Sequence, residues 1–155
     1  KYVIIQNLKK EKFMEFGSIE YQLALWELFN IGRIGSAMAT IGVILAVWLS
    51  LRIAVNTRNN PETNLFAKIV STLFGLIVVA GGWIQATIGG LYWTNTAAAF
   101  ASIKSQGMEI SPAAEGFIDF VGTTDPATTP TPLGMAFFAV VTIIILVQIW
   151  YPKQD

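Results

Sequence analysis

The chain has 155 residues, of which 13% are charged and 54% apolar, with ten Lys plus Arg balancing ten Asp plus Glu. A soluble domain carries about one quarter charged residues, so this composition belongs to a membrane protein, and its zero net charge leaves no field to draw in nucleic acid. The absence of Cys and His excludes disulfides, iron-sulfur clusters, thiolate or imidazole metal sites, His-ligated haem and Ser-His or Cys-His catalysis.

Residues 1–33 mix charge with apolar side chains. Lys9, Lys10, Glu11, Lys12 and Glu15 precede a stretch in which Ile19, Leu23, Leu25, Trp26 and Phe29 lie opposite Glu20 and Glu27. With Ser18 as its cap, this reads as an interfacial helix that turns at Asn30 and Gly32 into the first span, or as a solvated approach segment. Four Glu and the lack of an apolar core before a small-residue cleavage site argue against a secretory signal in this stretch.

A spanning helix needs about 20 mostly apolar residues. The uncharged stretch Ile34 to Leu51, continuing past Arg52 to Val55, meets that length. A second uncharged stretch begins at Ile69, and Tyr92, Trp93, Thr94 and Asn95 predict its end near Trp93. The connection NTRNNPETN, residues 56–64, is short and rich in turn formers, so residues 34–93 form a helical hairpin. Residues 94–132 form a longer connection. In it AAAFASIKSQG and SPAAEGFIDFVG read as short amphipathic helices, the second with Ser111 as N-cap and Pro112 at its first position, and TTDPATTPTP as an extended linker. The third span and a short tail occupy residues 133–155, where GMAFFAVVTIIILVQIWY is free of charge up to Lys153 and Pro152 is a stop signal. The fold class is therefore an all-α membrane protein with three transmembrane helices, an N-terminal interfacial helix and a long, partly helical loop before the third span.

Small residues recur every three or four positions in the first span, at Gly32, Gly35, Ala39, Gly42, Ala46 and Ser50, and in the second at Ser71, Gly75, Gly82, Ala86 and Gly89. In lipid, apolarity gives helices no reason to meet, and close approach along small faces is a main source of attachment. These rows predict helix packing, first between spans one and two, otherwise as a groove for a partner helix, lipid tail or carotenoid-like chain, or as a pore lining. The third span lacks such a row, and its Val and Ile residues suit lipid exposure. Trp26, Tyr92 and Trp93 at one interface and Trp150 and Tyr151 at the other read as depth anchors, joined by Arg33 and Arg52 reaching out from the ends of span one. Phe117, Ile118, Phe120 and Val121 would give the loop helix an apolar face that lies at the headgroup level or, the favoured reading, docks on a partner. Gln85, with Thr87 nearby, predicts an interhelical hydrogen bond, and Gln148 predicts snorkelling to the interface or the capping of a local contact. Trp48 and Trp83 fill space between helices or stack on a pigment or quinone.

Spans two and three contain no ionisable group, which disfavours a proton pump or ion-coupled carrier. No glycine loop followed by Lys-Ser or Lys-Thr exists, so no nucleotide site is expected, and the Met and carboxylate groups assemble no metal set. Arg52, Arg58, Lys68 and Lys153 near the hairpin loop and tail, against Arg33 and Lys104 on the other side, place the N-terminus and long loop outside and the C-terminus inside. Counting Lys1, Lys9, Lys10 and Lys12 reverses that balance. The functional expectation is a non-enzymatic accessory subunit of a multi-subunit complex in a plasma or energy-transducing membrane. It would partner other integral membrane subunits and hold no cofactor of its own beyond a lipid, quinone or carotenoid-like molecule shared with them. The alternative is a homo-oligomeric pore or transporter-like protein.

Overall fold

The structure, a computed structural model, describes residues 15–151, all of whose regular elements are helices. These are α1 (Ile19–Asn59), α2 (Leu65–Ser105), α3 (Pro112–Val121) and α4 (Pro132–Trp150). Three of them, α1, α2 and α4, are long and apolar enough to cross a membrane, as an integral membrane protein requires. At 1.5 Å per residue, the 41 residues each of α1 and α2 run about 60 Å, twice the thickness of a hydrocarbon core.

Each helix end is explained by its local sequence. At the start of α1 the Ser18 hydroxyl accepts from the Tyr21 amide at 3.2 Å. The α1–α2 turn is held by Asn60, whose side chain accepts from the Glu62 amide, and by Asn64, which accepts from the Ala67 amide at 2.9 Å and caps α2. α2 stops at Gly107, whose φ of +79° allows the amides of Gly107 and Met108 to close back on the carbonyls of Lys104 and Ile103. Ser111 and Thr131 cap α3 and α4, each with Pro in the first turn.

The interfacial helix expected to turn at Asn30 and Gly32 is not a separate element, because residues 19–33 are the opening turns of α1. Nor does the second long helix end near Trp93: α2 continues through residues 94–105 to Ser105 and takes in most of the stretch 97–107 expected as a separate loop helix. Isolated Gly costs a helix about 1 kcal/mol, which is small beside the burial obtained by keeping both helices intact. Phe29 on α1 and Ala97, Phe100 and Ile103 on α2 are buried along with Thr94.

The chain divides into two compact units. Of the described residues, the first comprises 15–32 together with 92–126. Its core is aromatic. Phe117 of α3 is surrounded by Trp26, Phe29, Trp93 and Phe100, with ring centroids 5.2, 5.0, 5.6 and 6.4 Å away. The Trp93 and Phe117 rings are nearly parallel, at 9°, and the other three contacts are edge-on or close to it, which are the arrangements that ring quadrupoles favour. The second unit comprises, of the described residues, 33–91 and 127–151. Its core is aliphatic, built from Val47, Ala54, Val141, Ile145 and Ile149 with Val43, Leu51, Val78 and Val79 packed around them.

Phe117→Ala should cost the first unit about 3–5 kcal/mol, because a cavity would open among four rings. Phe120, which is 77% exposed, should tolerate Ala within about 0.5 kcal/mol. Thermal unfolding followed by tryptophan emission separates the two, and equal shifts would contradict the placement of Phe117.

Candidate functional site

On a helix successive residues turn by about 100°, so positions seven apart nearly coincide whereas positions three apart sit about 60° round. This decides which small residues of α1 meet a neighbour. Gly32 packs beneath the ring of Tyr92. Ala39 and Ala46, in line with it, are half-buried, and Ser50 is buried with its hydroxyl bonded to the Ala46 carbonyl at 2.9 Å. Gly35 and Gly42 lie off that line, and a Cβ at either would meet nothing within 4 Å. They do not pack inside the chain. The inward face of α1 in the second unit is instead completed by Ser36, Val43, Val47 and Ala54, whose 7- and 11-residue spacing is a sequence signal that mixes small with branched residues.

The row on α2 behaves differently, since every member has a neighbour within the second unit or lines a groove there. The Ser71 hydroxyl shares a 2.8 Å hydrogen bond with the Thr57 hydroxyl of α1. A Cβ at Gly75 would lie 2.9 Å from Ile145 of α4, and at Gly82 it would strike both Phe138 of α4 at 2.5 Å and Val43 of α1 at 2.9 Å. At Gly89 it would sit 3.0 Å from the Ser36 hydroxyl. Ala86 lines an open groove with Thr40, Val43 and Phe138. The row therefore serves two neighbours at once. α4 fills the notches at Gly82 and Gly75 with Phe138 and Ile145, which are buried along with Val141 and Ile149, while Val147 is 46% exposed.

The expected docking face on α3 is divided. Phe117 belongs to the chain's own core, with Ile118 and Val121 packed against the same cluster, because the rings of α1 and α2 already supply the apolar partner the helix needs. Phe120 alone of the four is strongly exposed, even though its ring centroid lies 5.8 Å from that of Trp93. The same cluster absorbs Trp26, Tyr92 and Trp93, so these side chains pack against protein instead of standing free as a belt. At the hairpin end of the second unit the anchors are open to the surroundings: Trp150 and Tyr151 are 46% and 61% exposed. The Trp150 indole donates to the Thr72 hydroxyl at 3.0 Å, with the Lys68 ammonium 5.9 Å from its ring. Arg52 stands 5.6 Å over the Trp48 ring, and Arg33 is exposed. Trp83 lies 6.2 Å from Phe138.

Polar groups outside the caps are few. Lys104 and Glu115 form an ion pair at 2.7 Å with both side chains about half exposed, and the carboxylate holds the lysine above its ordinary value by hydrogen bond and charge. An exposed pair of this kind adds little stability. Thr87 bonds the Trp83 carbonyl of its own helix. The expected interhelical bond from Gln85 is not formed: its carboxamide has no partner among the described residues. Gln148, expected to reach the interface, instead keeps its carbonyl oxygen buried without a hydrogen bond among them. No group of three or more metal-ligating side chains occurs among the described residues.

No family model, curated protein or solved structure matches this chain.

Gly82→Leu should destabilise the isolated chain in detergent by about 1–3 kcal/mol, since Val43 and Phe138 already fill the space. Gly42→Leu and Val147→Leu should stay within about 0.5 kcal/mol. Thermal unfolding of the three variants reads the difference, and a loss at Gly42 equal to that at Gly82 would contradict the assignment of faces.

Proposed function

We propose that the protein is a non-catalytic accessory subunit of a multi-subunit integral membrane complex, stabilising the assembly through helix faces left open by its own fold. The observation that carries this reading is the empty space beside Gly35 and Gly42 on α1 and Gly81 on α2, where a Cβ would meet nothing within 4 Å. Around the α1 pair stand Ile34, Met38, Ile41 and Leu45, each at least 60% exposed. Small residues flanked by bulky ones form the notched surface that transmembrane helices use for close approach, and here the notches are unfilled by the chain itself. The lack of Cys and His supports a structural role over a catalytic one.

In this reading the partners are other integral membrane subunits, and lipid, quinone or carotenoid-like molecules are shared between them. The hairpin turn and the C-terminal end of α4 face inward, and residues 106–131 face outward. A homo-oligomeric pore lined by the α2 glycines has less support, because side chains of α1 and α4 occupy the space at Gly75 and Gly82.

Solubilisation in a mild detergent followed by affinity capture of the tagged full chain should recover unrelated membrane subunits in fixed ratio. Gly35→Leu combined with Gly42→Leu should cut that recovery about fivefold or more, corresponding to an overpacking cost of about 1–3 kcal/mol at the contact. Recovery of a ring of this chain alone would replace the proposal with the homo-oligomeric one.

A further inference from the structure

The second unit carries one open groove of about 430 Å³ whose walls come from α1, α2 and the start of α4. Val43, Ile44, Phe137 and Phe138 make most of the wall apolar, and Gln85 lies among them. Two hydroxyls also line the groove, but both are engaged: Thr40 donates to the Ser36 carbonyl at 2.8 Å and Thr131 accepts from the Gly134 amide. Gln85 is the exception, with two N–H donors and a carbonyl acceptor unused within the described chain. It stands in the uncharged stretch of α2, where hydrocarbon replaces water and an unmet amide is costly.

From the apolar walls and the single unmet amide, we infer that this groove binds the hydrocarbon tail of a membrane lipid, with the oxygen at the head of that tail accepting a hydrogen bond from the Gln85 side-chain amide. A tail follows the concave seam of three helices and fills it with the medium already surrounding it. An ester, ether or hydroxyl oxygen accepts from a Gln85 N–H in the same stroke, whereas hydrocarbon alone would meet neither donor. The Phe137 and Phe138 rings, 5.2 Å apart between centroids, provide a wall rigid enough to favour one resident chain over exchanging bulk lipid. This deepens the proposal that the protein holds lipid and rests on its residence in a membrane, but it needs no partner subunit.

The test uses the full chain in nanodiscs of palmitoyl-oleoyl phosphatidylcholine doped with a phosphatidylcholine bearing a diazirine on its acyl chain. Cross-links should concentrate on Ile44, Phe137 and Phe138. Native mass spectrometry of the released protein should show one retained phosphatidylcholine, and Gln85→Met, similar in bulk but without the donor, should lower that retention about tenfold. Circular dichroism and thermal unfolding establish that the variant is folded, and the cross-linking pattern of the unmodified chain stands whether or not it is. Unchanged retention in Gln85→Met, or labels spread over Met38 and Leu45 with none in the groove, overturns the assignment. If labelling of the isolated chain vanishes in a captured complex, a partner side chain fills the groove, which overturns the lipid assignment and leaves the accessory reading intact. A retained lipid in a chain that captures no partner does the reverse.

Discussion

The second unit depends on a constraint that water-soluble bundles do not face. In hydrocarbon, burying Ile or Phe against another helix gains no hydrophobic free energy, because the lipid is as apolar as the side chain, so what holds the helices is dispersion and shape. Gly82 shows how this is met. It is the place where Val43 of α1 and Phe138 of α4 converge on the α2 backbone, so one missing side chain lets two neighbours approach. Gly75 repeats the device for Ile145, and the Thr57–Ser71 hydroxyl pair adds a polar link between α1 and α2. α4 can therefore present large residues, Phe138 and Ile145, at these contacts, since the notches are on the helix it packs against.

The first unit is held by different chemistry although the same two long helices supply it. Here rings replace notches: Trp26, Phe29, Trp93 and Phe100 enclose Phe117, and large aromatic areas are removed from their surroundings. The short helix α3 depends on this. Ten residues are too few for a stable isolated helix, so its Ser111 cap, Pro112 and Gly122 define where it begins and ends while Phe117 and Ala114, both buried, hold it in place. The same cluster explains why α1 and α2 pass unbroken through positions that carry turn or interface residues. Asn30 and Asn95 remain exposed on the outer faces, whereas Gly32 accepts the Tyr92 ring.

What was legible in the sequence follows from the range over which each signal acts. The three apolar stretches, the Ser18 and Ser111 neighbourhoods, Pro112 and the Asn-rich hairpin turn are local, and the helices appear where those signals stand. The α2 row was legible because Ser71, Gly75, Gly82, Ala86 and Gly89 fall on one side of the helix. The α1 row was only half legible: steps of three and four approximate a face, but Gly35 and Gly42 drift from it, and nothing local distinguishes them from Gly32. Interface-type residues at Asn30, Gly32, Thr94 and Asn95 suggested helix ends because their propensities are weak, and the long-range ring cluster that overrides them joins residues as far apart in sequence as Trp26 and Phe117. The apolar face of α3 was visible, but whether it meets a partner or its own chain is a property of the fold.

Gln85 and Gln148 show how polar groups report on the surroundings of the helices that carry them. In the second unit the hydroxyls that interrupt α1, α2 and α4 mostly satisfy themselves locally: Thr40, Ser50, Thr72, Thr87 and Thr142 each donate to the carbonyl four residues earlier. A hydroxyl on Cβ is close enough to its own backbone to need nothing else. A carboxamide is longer and carries two donors, so it cannot be satisfied in that way. Gln85 and Gln148 are therefore the side chains by which these helices ask for an external group. Gln85 faces a groove large enough to admit one, whereas the Gln148 oxygen is closed off by protein. Of two residues with the same chemistry, only the one beside open space carries an argument about what the molecule binds.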